Sequence, residues 1–521
     1  MGIYLGLDSS TQSLSALIID THCNKIIYEQ SVNFGKDLEK YNSPNGFIEN
    51  QNPLIRHAHP LMWVDALDLL FKKMKKDNFD LSSIDCISGS GQQHGSVYLN
   101  KNFLTSTDWS GNNLSTTIAP MLSRKTAPIW MDSSTTLECD EIAKALNGKQ
   151  VVCSKTGSIP IERFTGPQIR KFYKEEPDAY KNTAVIHLVS SFMASILAGK
   201  SVGIDYADGA GMNLLNLNNL DWDSEMLNAT APDLKNKLPE AQPSNSVVGN
   251  IAGYFVRTYG FSEHCKINIW SGDNPNSLVG LGAGKAGTAV ISLGTSDTFM
   301  AAFKTPVTDK NGFGHVFCNP AGGYMCLICF KNGSLAREKV KDEFNLNWNQ
   351  FDVVAFEDTP PGNHGNMMIP FYLPEITPKT KKAIVEFFGD ENFKSKNDFK
   401  VIVRSIVESQ ITNMKLHSNW IDIKLEKIRI TGGASSGNAI CQIVANIFQA
   451  DVERFSVSNS AGLGAAIRAA NADTGISMFN LADDLTTSKD NKIFHADSSL
   501  KETYENFAKD FAKIQEKRIS C

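Results

Sequence analysis

The sequence contains no apolar segment long enough to cross a membrane. Its longest apolar run, Ala184 to Ala198, includes His187 and three serines and is shorter than the roughly 20 residues that a transmembrane helix needs. We expect this run to form a buried helix. The segment Met1 to Asp8 lacks a basic region and ends at an aspartate, so it does not have the pattern of a secretory signal. These absences predict a cytoplasmic protein.

A strong charge of one sign is also lacking, because the formal net charge is only −5 over 521 residues. The densest basic run, Lys72 to Lys76, follows the apolar segment Leu61 to Phe71. This order is typical of the solvated end of a helix and does not indicate a membrane-binding surface. Without a basic face, neither nucleic acid nor a membrane is expected as a partner.

The ten cysteines do not form a disulfide or metal-binding pattern. Cys326 and Cys329 have the spacing of a metal-binding pair, but no second pair matches them, and their apolar surroundings favour core packing. His57 and His59 resemble a metal pair without an acidic partner in the nearby sequence. We therefore expect free thiols in a reducing compartment and no cysteine-based metal site.

A repeated pattern begins each half of the chain and is the most informative feature of the sequence. Each copy predicts a β-strand, a short polar turn and a second β-strand. The predicted strands are Ile3 to Asp8, Ser13 to Ile19, Thr288 to Leu293 and Asp297 to Phe303, and the turns contain Thr11 and Gln12 in the first copy and Gly294, Thr295 and Ser296 in the second. Helical and strand patterns alternate in both halves, which predicts two α/β domains of one design at 1–284 and 285–521, facing each other across a cleft.

Both polar turns are candidates for phosphate binding. A tight turn of small residues exposes backbone N–H groups, and hydroxyl side chains add further donors. Asp8 ends its strand beside the first turn, where a carboxylate can hold Mg²⁺ through water. Either turn alone could be an ordinary hairpin turn. Two glycine-containing segments match nucleotide-binding motifs only superficially. Gly280–Lys285 resembles a P-loop but has the wrong spacing, and Gly282–Gly287 matches the dinucleotide-binding pattern but precedes a strand.

Polar residues at the ends of predicted strands suggest the rest of a site. Asp273 follows the strand Ile267 to Trp270 and precedes a helix predicted from Asn276, a position that suits a general base and equally an ordinary helix start. Asn274, His94 and Arg163 are candidates to bind substrate hydroxyl groups. Gly432 and Gly433 join a strand to a helix, where a nucleotide can lie on bare backbone. Trp348 could form an aromatic wall for a base, although a lone tryptophan is more often a core residue.

These segments together resemble the FGGY carbohydrate kinases, and within that family the longer D-xylulose kinases. The matching stretches are Gly6 to Gln12, Ser88 to Tyr98, Trp130 to Thr136, Glu162 to Ile169, Ser271 to Leu278, Ile291 to Thr298, Cys329 to Leu335 and Thr431 to Ser435. The resemblance implies two actin-like, ribonuclease-H-type domains flanking a cleft for ATP and sugar. It also implies Mg²⁺ as a cofactor and a monomer or homodimer as the assembly.

The resemblance implies a role for each candidate residue. Asp273 would be the base that activates O5 of D-xylulose, with His94, Arg163 and Asn274 around the ketose. Trp348, Gly432 and Gly433 would contact the nucleotide, and the two hairpin turns would contact its phosphates. Many relatives have Asn four residues after the second glycine, where this chain has Gly437, so the adenine contact would pass to Asn438.

Three alternatives remain open from the sequence. The chain could phosphorylate another ketose or polyol, such as ribulose, glycerol or gluconate. It could be a non-catalytic actin-fold protein that binds nucleotide, although the polar segment around His94 and the acid at Asp273 argue against a pure binder. It could also hydrolyse ATP with water in place of sugar.

Overall fold

The computed structural model describes residues 1–109, 111, 113–357, 359–455, 459–486 and 492–519, which fall into two units. The first unit comprises Met1–Gly284, Val316–Tyr324 and Ser458–Thr486, and the second comprises Lys285–His315, Met325–Val457 and Thr487–Cys521. The chain therefore does not divide at Gly284 into two uninterrupted halves, because later segments return to the first unit. Among the described residues, no helix is long and apolar enough to cross a membrane.

The first unit is built on a mixed sheet that begins with the first hairpin. Ile3–Ser9 pairs antiparallel with Ser13–Asp20 and parallel with Ile84–Gly91. The spatial order is Val247–Asn250, Lys266–Asn268, Ile84–Gly91, Ile3–Ser9, Ser13–Asp20 and Lys25–Asn33, with Ser271–Gly272 also paired to Ile84–Gly91. Smaller pairs join His57–Ala58 to Ala127–Pro128, Ser96–Leu99 to Val185–Leu188, Ile204–Asp205 to Ala241–Gln242 and Leu215–Asn216 to Asp221–Trp222.

Helices pack against this sheet, and together they form the hydrophobic core of the unit. Pro60–Lys76 begins with a proline in its first turn and ends with lysines, as the geometry and dipole of a helix favour. The buried ring of Phe71 contacts those of Phe255 and Phe261 at centroid distances of 5.7 and 5.0 Å. The other helices of this unit are Phe34–Asp37, Lys101–Thr105, Leu114–Ile118, Thr136–Ala145, Lys149–Thr156, Thr165–Glu175, Pro177–Asn182, Val189–Ala198, Tyr206–Ala210, Ser224–Thr230, Gly253–Tyr259, Asp273–Gly280, Ser460–Thr474 and Met478–Thr486.

The single helix expected over Ala184 to Ala198 is wrong in its first part. Val185–Leu188 is a strand, and the helix begins at Val189. The strand forms because it pairs antiparallel with Ser96–Leu99, a contact between distant segments that local apolar character cannot reveal. The remainder, Val189–Ala198, is buried except for its last residue, as expected of an apolar run too short to span a membrane.

The second unit repeats the strand arrangement of the first. Thr288–Leu293 pairs antiparallel with Asp297–Phe303 and parallel with Lys427–Thr431. The spatial order is Tyr324–Phe330, Asp297–Phe303, Thr288–Leu293, Lys427–Thr431, Asp451–Arg454 and Ile493–Phe494, and Met367–Phe371 pairs separately with Ile384–Phe388. The strand His315–Cys318 spans the division between the units. The helices are Ser334–Glu343, Ala355–Glu357, Glu391–Lys394, Phe399–Ser418, Asn438–Phe448 and Lys501–Ile519, with a π-helical turn at Gln350–Val354.

The equivalent strand orders confirm the prediction of two α/β domains of one design. In each unit a hairpin lies beside a parallel strand, and a second parallel strand and an antiparallel edge strand follow. The sequence pattern also predicts a strand over Val452 to Val457, whose last two residues lie outside the described residues. Within the described part of the chain, the strand is Asp451–Arg454.

One helix of the first unit, Ser460–Thr474, comes from late in the sequence, and we call it the return helix. Its backbone lies in direct contact with the backbones of the strand Ile3–Ser9 and the helix Asp273–Gly280, because glycines lie at the contacts. A β-carbon on Gly6 would lie 2.0 Å from Gly462 O, and one on Gly464 would lie 1.9 Å from Asn276 O. The buried guanidinium of Arg468 also donates hydrogen bonds to Asn276 Oδ1 at 3.1 Å and to Ile269 O at 2.8 Å. The return helix is therefore fixed against both the first strand and the helix Asp273–Gly280.

We expect Gly464→Ala to destabilise the protein by about 1–3 kcal/mol, because the added methyl group must displace backbone atoms. Chemical denaturation of the purified variant would measure this change. Gly209→Ala is the matched control, since its β-carbon would have its nearest neighbour at an ordinary 3.4 Å. Equal stability of the two variants would contradict the close approach of the return helix.

Candidate functional site

Three distant segments meet at one edge of the first sheet. In the parallel pairing, Asp8 lies opposite Ser90, and Ser271 pairs with the same residue from the other side. The carboxyl ends of these strands therefore bring the first hairpin turn, the polar segment before His94 and the residues before Asp273 to one place. Such an edge is where α/β folds bind ligands.

Asp273 is the first residue of the helix Asp273–Gly280, so the helix begins earlier than the predicted start at Asn276. Its Oδ1 accepts a hydrogen bond from the backbone N–H of Asn274 at 2.8 Å. The positive end of the helix dipole favours a charged carboxylate at this position. Burial acts in the opposite direction and raises the pKa of Asp273 to about 6. The residue as a whole is intermediate in exposure, and burial of its carboxyl group is the main cause of the raised pKa.

The side chains of Asn274 and Gln93 are joined, because Asn274 Nδ2 donates to Gln93 Oε1 at 2.7 Å. His94, which follows Gln93 in the sequence, has a left-handed backbone with a φ of 70°. Its Nδ1 lies 2.7 Å from Gly211 O. A carbonyl oxygen can only accept, so Nδ1 carries the ring proton and Nε2 is the acceptor atom of the neutral ring. The strained backbone and this contact fix the orientation of the imidazole.

Arg163 reaches the same region through its neighbours in sequence. The ring of Phe164 lies 4.5 Å from that of His94, and Thr165 Oγ1 donates to His94 O at 2.9 Å. Arg163 itself is partly exposed in the turn before the helix Thr165–Glu175. The structure therefore brings the turn that carries Arg163 against His94.

Sequence reasoning missed Asp208, a buried acid beside Asp273. Its Oδ2 accepts a hydrogen bond from Ser190 Oγ, and its Oδ1 lies 2.8 Å from where a β-carbon on Gly272 would be. Burial, reinforced by the charges of Asp205 and Asp273, raises the pKa of Asp208 to about 8 despite the serine hydroxyl. No motif surrounds this residue, and only the fold brings it to the site.

Buried polar atoms without a hydrogen-bond partner are concentrated at this edge of the sheet. Most buried polar groups in folded proteins have partners, so a cluster of exceptions indicates a place for polar ligands. Hydroxyl groups of a polyol both donate and accept, and they match this mixture of acids, amides and hydroxyls. Of the described atoms without a partner, those at this edge are Asp8 Oδ1, Ser9 Oγ, Ser90 Oγ, both side-chain polar atoms of Gln92, Gln93 Nε2, Asp208 Oδ1 and Ser271 Oγ.

The first hairpin turn is held from two sides. Trp130 Nε1 donates to Thr11 Oγ1 at 2.8 Å, and a β-carbon on Gly46 would lie only 1.8 Å from Thr11 O. Because Thr11 Oγ1 accepts from the indole, its own hydrogen can donate elsewhere. Gln12 is exposed at the tip of the turn. Below the turn, burial and the charge of Asp273 raise the pKa of Asp8 to about 7, and the nearby Ser90 hydroxyl partly offsets this increase.

The second hairpin turn, Gly294 to Ser296, rests on the start of a helix in the second unit. Ser334 N donates to Gly294 O at 2.8 Å. The residue after the turn, Asp297, forms a buried bidentate pair with Arg337 at 2.8 and 2.9 Å. Bidentate arginine–carboxylate pairs add geometric specificity, and this one fixes the base of the turn.

A cavity of about 430 Å³ lies in the second unit beside the predicted glycine pair. Its lining includes Arg337, Trp348, Asp352 and Gly433. Trp348 is 47% exposed, so it is a wall residue and not a core residue. Gly432 has a φ of +92° and no room for a β-carbon, whereas nothing lies within 4 Å of the β-carbon position of Gly433. The structure therefore brings Trp348 and the glycine segment to one cavity.

Asn438 lies apart from this cavity. It is the first residue of the helix Asn438–Phe448, and its Oδ1 accepts from Arg454 Nη2 at 2.9 Å. It lines a separate, shallow depression with Gln442 and Phe494. Its adenine contact stays a prediction. Gly437 occupies the cap position of this helix.

The structure gives His57 an acidic neighbour that the sequence did not reveal, since His57 Nε2 lies 3.5 Å from Asp132 Oδ2. Burial lowers the pKa of His57 to about 4, so its ring is neutral near neutral pH. Cys326 is buried in the strand Tyr324–Phe330, and all described cysteines are free thiols. Within the described ranges, no group of three or more His, Cys, Asp and Glu side chains is arranged to hold a metal ion.

Family models match nearly the whole chain. The N-terminal domain of the FGGY family of carbohydrate kinases matches residues 3–280, and its C-terminal domain matches residues 289–472. A rat protein named xylulose kinase is 41% identical over 483 residues, covering 89% of this chain and 87% of its own length. An Arabidopsis thaliana protein named xylulose kinase 2 is 40% identical over 488 residues, covering 90% and 87%.

Solved structures have the same fold. A ligand-bound xylulose kinase from Lactobacillus acidophilus matches with a TM-score of 0.80 and 18% identity, covering 99% of this chain and 98% of its own. A gluconate kinase from the same organism matches with a TM-score of 0.80 and 19% identity, covering 99% and 97%. At these identities the two matches establish the actin-like fold and leave the substrate undecided.

The raised pKa of Asp208 predicts a pH dependence of stability. An unfolded aspartate has a pKa of about 3.9, so between that value and about 8 the folded protein holds a proton that the unfolded chain lacks. The free energy of unfolding therefore falls as the pH rises through this window. Asp208→Asn removes this contribution, and chemical denaturation at several pH values should show a flatter profile of unfolding free energy against pH.

The matched control is Asp178→Asn, an exposed site where this profile should not change. An unchanged slope in Asp208→Asn would contradict the assignment.

Proposed function

The chain belongs to the FGGY family of carbohydrate kinases, and from this premise we propose that it transfers the γ-phosphate of ATP to O5 of D-xylulose. Relatives named xylulose kinases, which align over most of the chain, support the choice of sugar. The observation that carries the chemistry is the carboxylate of Asp273, which lies at a helix start beside Asn274 and Gln93.

Asp273 acts as the general base in this proposal. With a pKa of about 6, its carboxylate is mostly ionised near neutral pH and can accept a proton. It takes the proton of the O5 hydroxyl as that oxygen attacks the γ-phosphorus. The new O5–P bond forms, the bond from the γ-phosphorus to the bridging oxygen breaks, and ADP leaves with that oxygen.

The sugar is oriented by directional polar groups of the first unit. His94 offers a fixed imidazole, Asn274 an amide held by Gln93, and Arg163 a guanidinium on the neighbouring turn. Each fixed group lowers the entropy cost of holding the reacting hydroxyl in line with the phosphate. Discrimination between sugars then follows from which hydroxyl groups can pair with these side chains.

The nucleotide occupies the cavity of the second unit in this proposal. Trp348 supplies an aromatic face for the base, and Gly432 and Gly433 supply backbone that a nucleotide can approach closely. The turn amides and hydroxyls bind the phosphates. The residues of the two turns are Thr11 and Gln12 in the first and Gly294, Thr295 and Ser296 in the second.

Asp8 fits a role beside a magnesium ion. Its Oδ1 is buried without a partner among the described residues, and hydrated Mg²⁺ prefers oxygen ligands, keeps several waters and takes further ligands from substrate phosphates. We therefore propose that Asp8 contacts Mg²⁺ through water. When bound, the ion would neutralise charge on the phosphate oxygens.

A panel of sugars tests the substrate directly. We expect ADP formation to be stimulated most, in kcat/KM, by D-xylulose, compared with D-ribulose, glycerol and gluconate, and phosphorus NMR of the product should show a phosphate ester at O5. Turnover with another sugar and none with D-xylulose would reassign the substrate. Rapid ADP formation without any sugar would favour a hydrolase.

Replacing the base separates chemistry from binding. We expect Asp273→Asn to lower kcat by about 10²- to 10⁴-fold, because an amide cannot accept the proton, while the variant still binds D-xylulose in calorimetry. Glu263→Gln, an exposed site in the same unit, is the control for loss of a carboxylate and should keep normal turnover. Near-normal turnover of Asp273→Asn would refute its role as base.

A further inference from the structure

The nucleotide cavity of the second unit contains a carboxylate with no role in the function proposed so far. Asp352 lines the cavity together with Trp348 and Gly433. A β-carbon on Gly437 would lie 3.5 Å from Asp352 Oδ1, so the carboxylate lies beside the end of the segment 434–437 that follows Gly433. The inference below rests on the proposed binding of a nucleotide in this cavity.

The backbone around Asp352 has an unusual form. Asp352 belongs to a π-helical turn, Gln350–Val354, between the helices Ser334–Glu343 and Ala355–Glu357. Single π-helical turns are rare, and they occur often at functional sites because the wider turn redirects side chains. Phe351 in this turn is fully buried, and its ring packs edge-on against Trp348 at 5.7 Å. The same turn thus supports the aromatic wall and carries the carboxylate.

A carboxylate at this position is costly for a nucleotide site. Burial raises the pKa of Asp352, and the charge of Arg337 offsets only part of this effect. None of the described residues donates a hydrogen bond to its oxygens, and the ligand itself carries several negative charges. A desolvated carboxylate that repels the phosphates is tolerated when the ligand supplies a hydrogen-bond donor to it. A nucleoside carries such donors on the ribose hydroxyl groups and on the exocyclic amine of adenine.

We propose that Asp352 accepts a hydrogen bond from a donor group of the nucleoside and thereby selects the nucleotide that enters the cavity. A carboxylate without its proton can only accept, so it discriminates against nucleotides that lack the donor or present an acceptor in its place. The donor is a ribose hydroxyl or the adenine amine. Trp348, in contrast, contacts the face of any base and gives little selectivity.

Equilibrium binding of ADP analogues tests this role independently of turnover. Calorimetry should compare ADP with 2′-deoxy-ADP, 3′-deoxy-ADP and IDP, which respectively lack one ribose hydroxyl, lack the other, or replace the amine with a carbonyl oxygen. We expect the protein to bind ADP about ten- to a hundredfold more tightly than the analogue that lacks the contacted donor, as for a hydrogen bond to a charged group. The analogue that loses affinity identifies the donor.

The variants provide the decisive comparison. In Asp352→Ala the preference for ADP over that analogue should fall to about onefold, whereas Asp352→Asn should keep part of it, since an amide oxygen still accepts. Glu357→Gln is the matched control, because it removes an exposed carboxylate from the next helix and should leave the preference unchanged. Equal preferences in Asp352→Ala and the unaltered protein would overturn the proposal.

The outcomes separate this inference from the proposed function. Selective ADP binding that depends on Asp352, without phosphorylation of any sugar, would sustain the inference and reject the kinase. Sugar phosphorylation, together with a preference for ADP over its analogues that does not depend on Asp352, would sustain the kinase and reject the inference. Absence of ADP binding to the unaltered protein would reject both.

Discussion

Direct contact between backbones fixes the geometry of the sheet edge that carries Asp273. The return helix lies so close to the first strand and to the helix Asp273–Gly280 that Gly6 and Gly464 have no room for a side chain. Arg468 strengthens the contact through Asn276, whose Nδ2 in turn donates to Gly272 O at 2.8 Å. The residue that follows Gly272 is Asp273, so the rigidity of the helix packing extends directly to the acid.

The same rigidity explains why the site can contain so many strained or poorly satisfied groups. Three acids with raised pKa values, a histidine with a left-handed backbone and several polar atoms without partners lie at one sheet edge. Each of these features lowers stability. A well-packed core below them, with the aromatic cluster around Phe71, compensates for this loss. The polar edge thereby keeps a fixed arrangement of polar groups that can pair with a ligand.

Local patterns were sufficient for the parts of the fold that depend on neighbours in sequence. The two hairpins could be predicted because the apolar pattern of two strands around a polar turn lies within one short segment of sequence. Asp273 could be placed at a strand end because the strand pattern directly precedes it. Asp208 could not be found, since its neighbours Ser190 and Gly272 come from distant segments. The π-helical turn around Asp352 depends likewise on tertiary packing. Sequence reasoning therefore identified the residues next to motifs and missed those that only the fold brings together.

The position of the return helix has a consequence for the order in which the protein can fold as it is synthesised. The first strand is synthesised long before the return helix, which covers it and supports Asn276, because most of the second unit lies between them in the sequence. The fold of the first unit therefore stays incomplete until the return helix has been synthesised, because one side of its sheet lacks that helix. The second unit can form most of its own sheet before then. A ribosome stalled near Gly284 would carry a nascent chain that exposes apolar surface, which is the kind of surface that molecular chaperones bind.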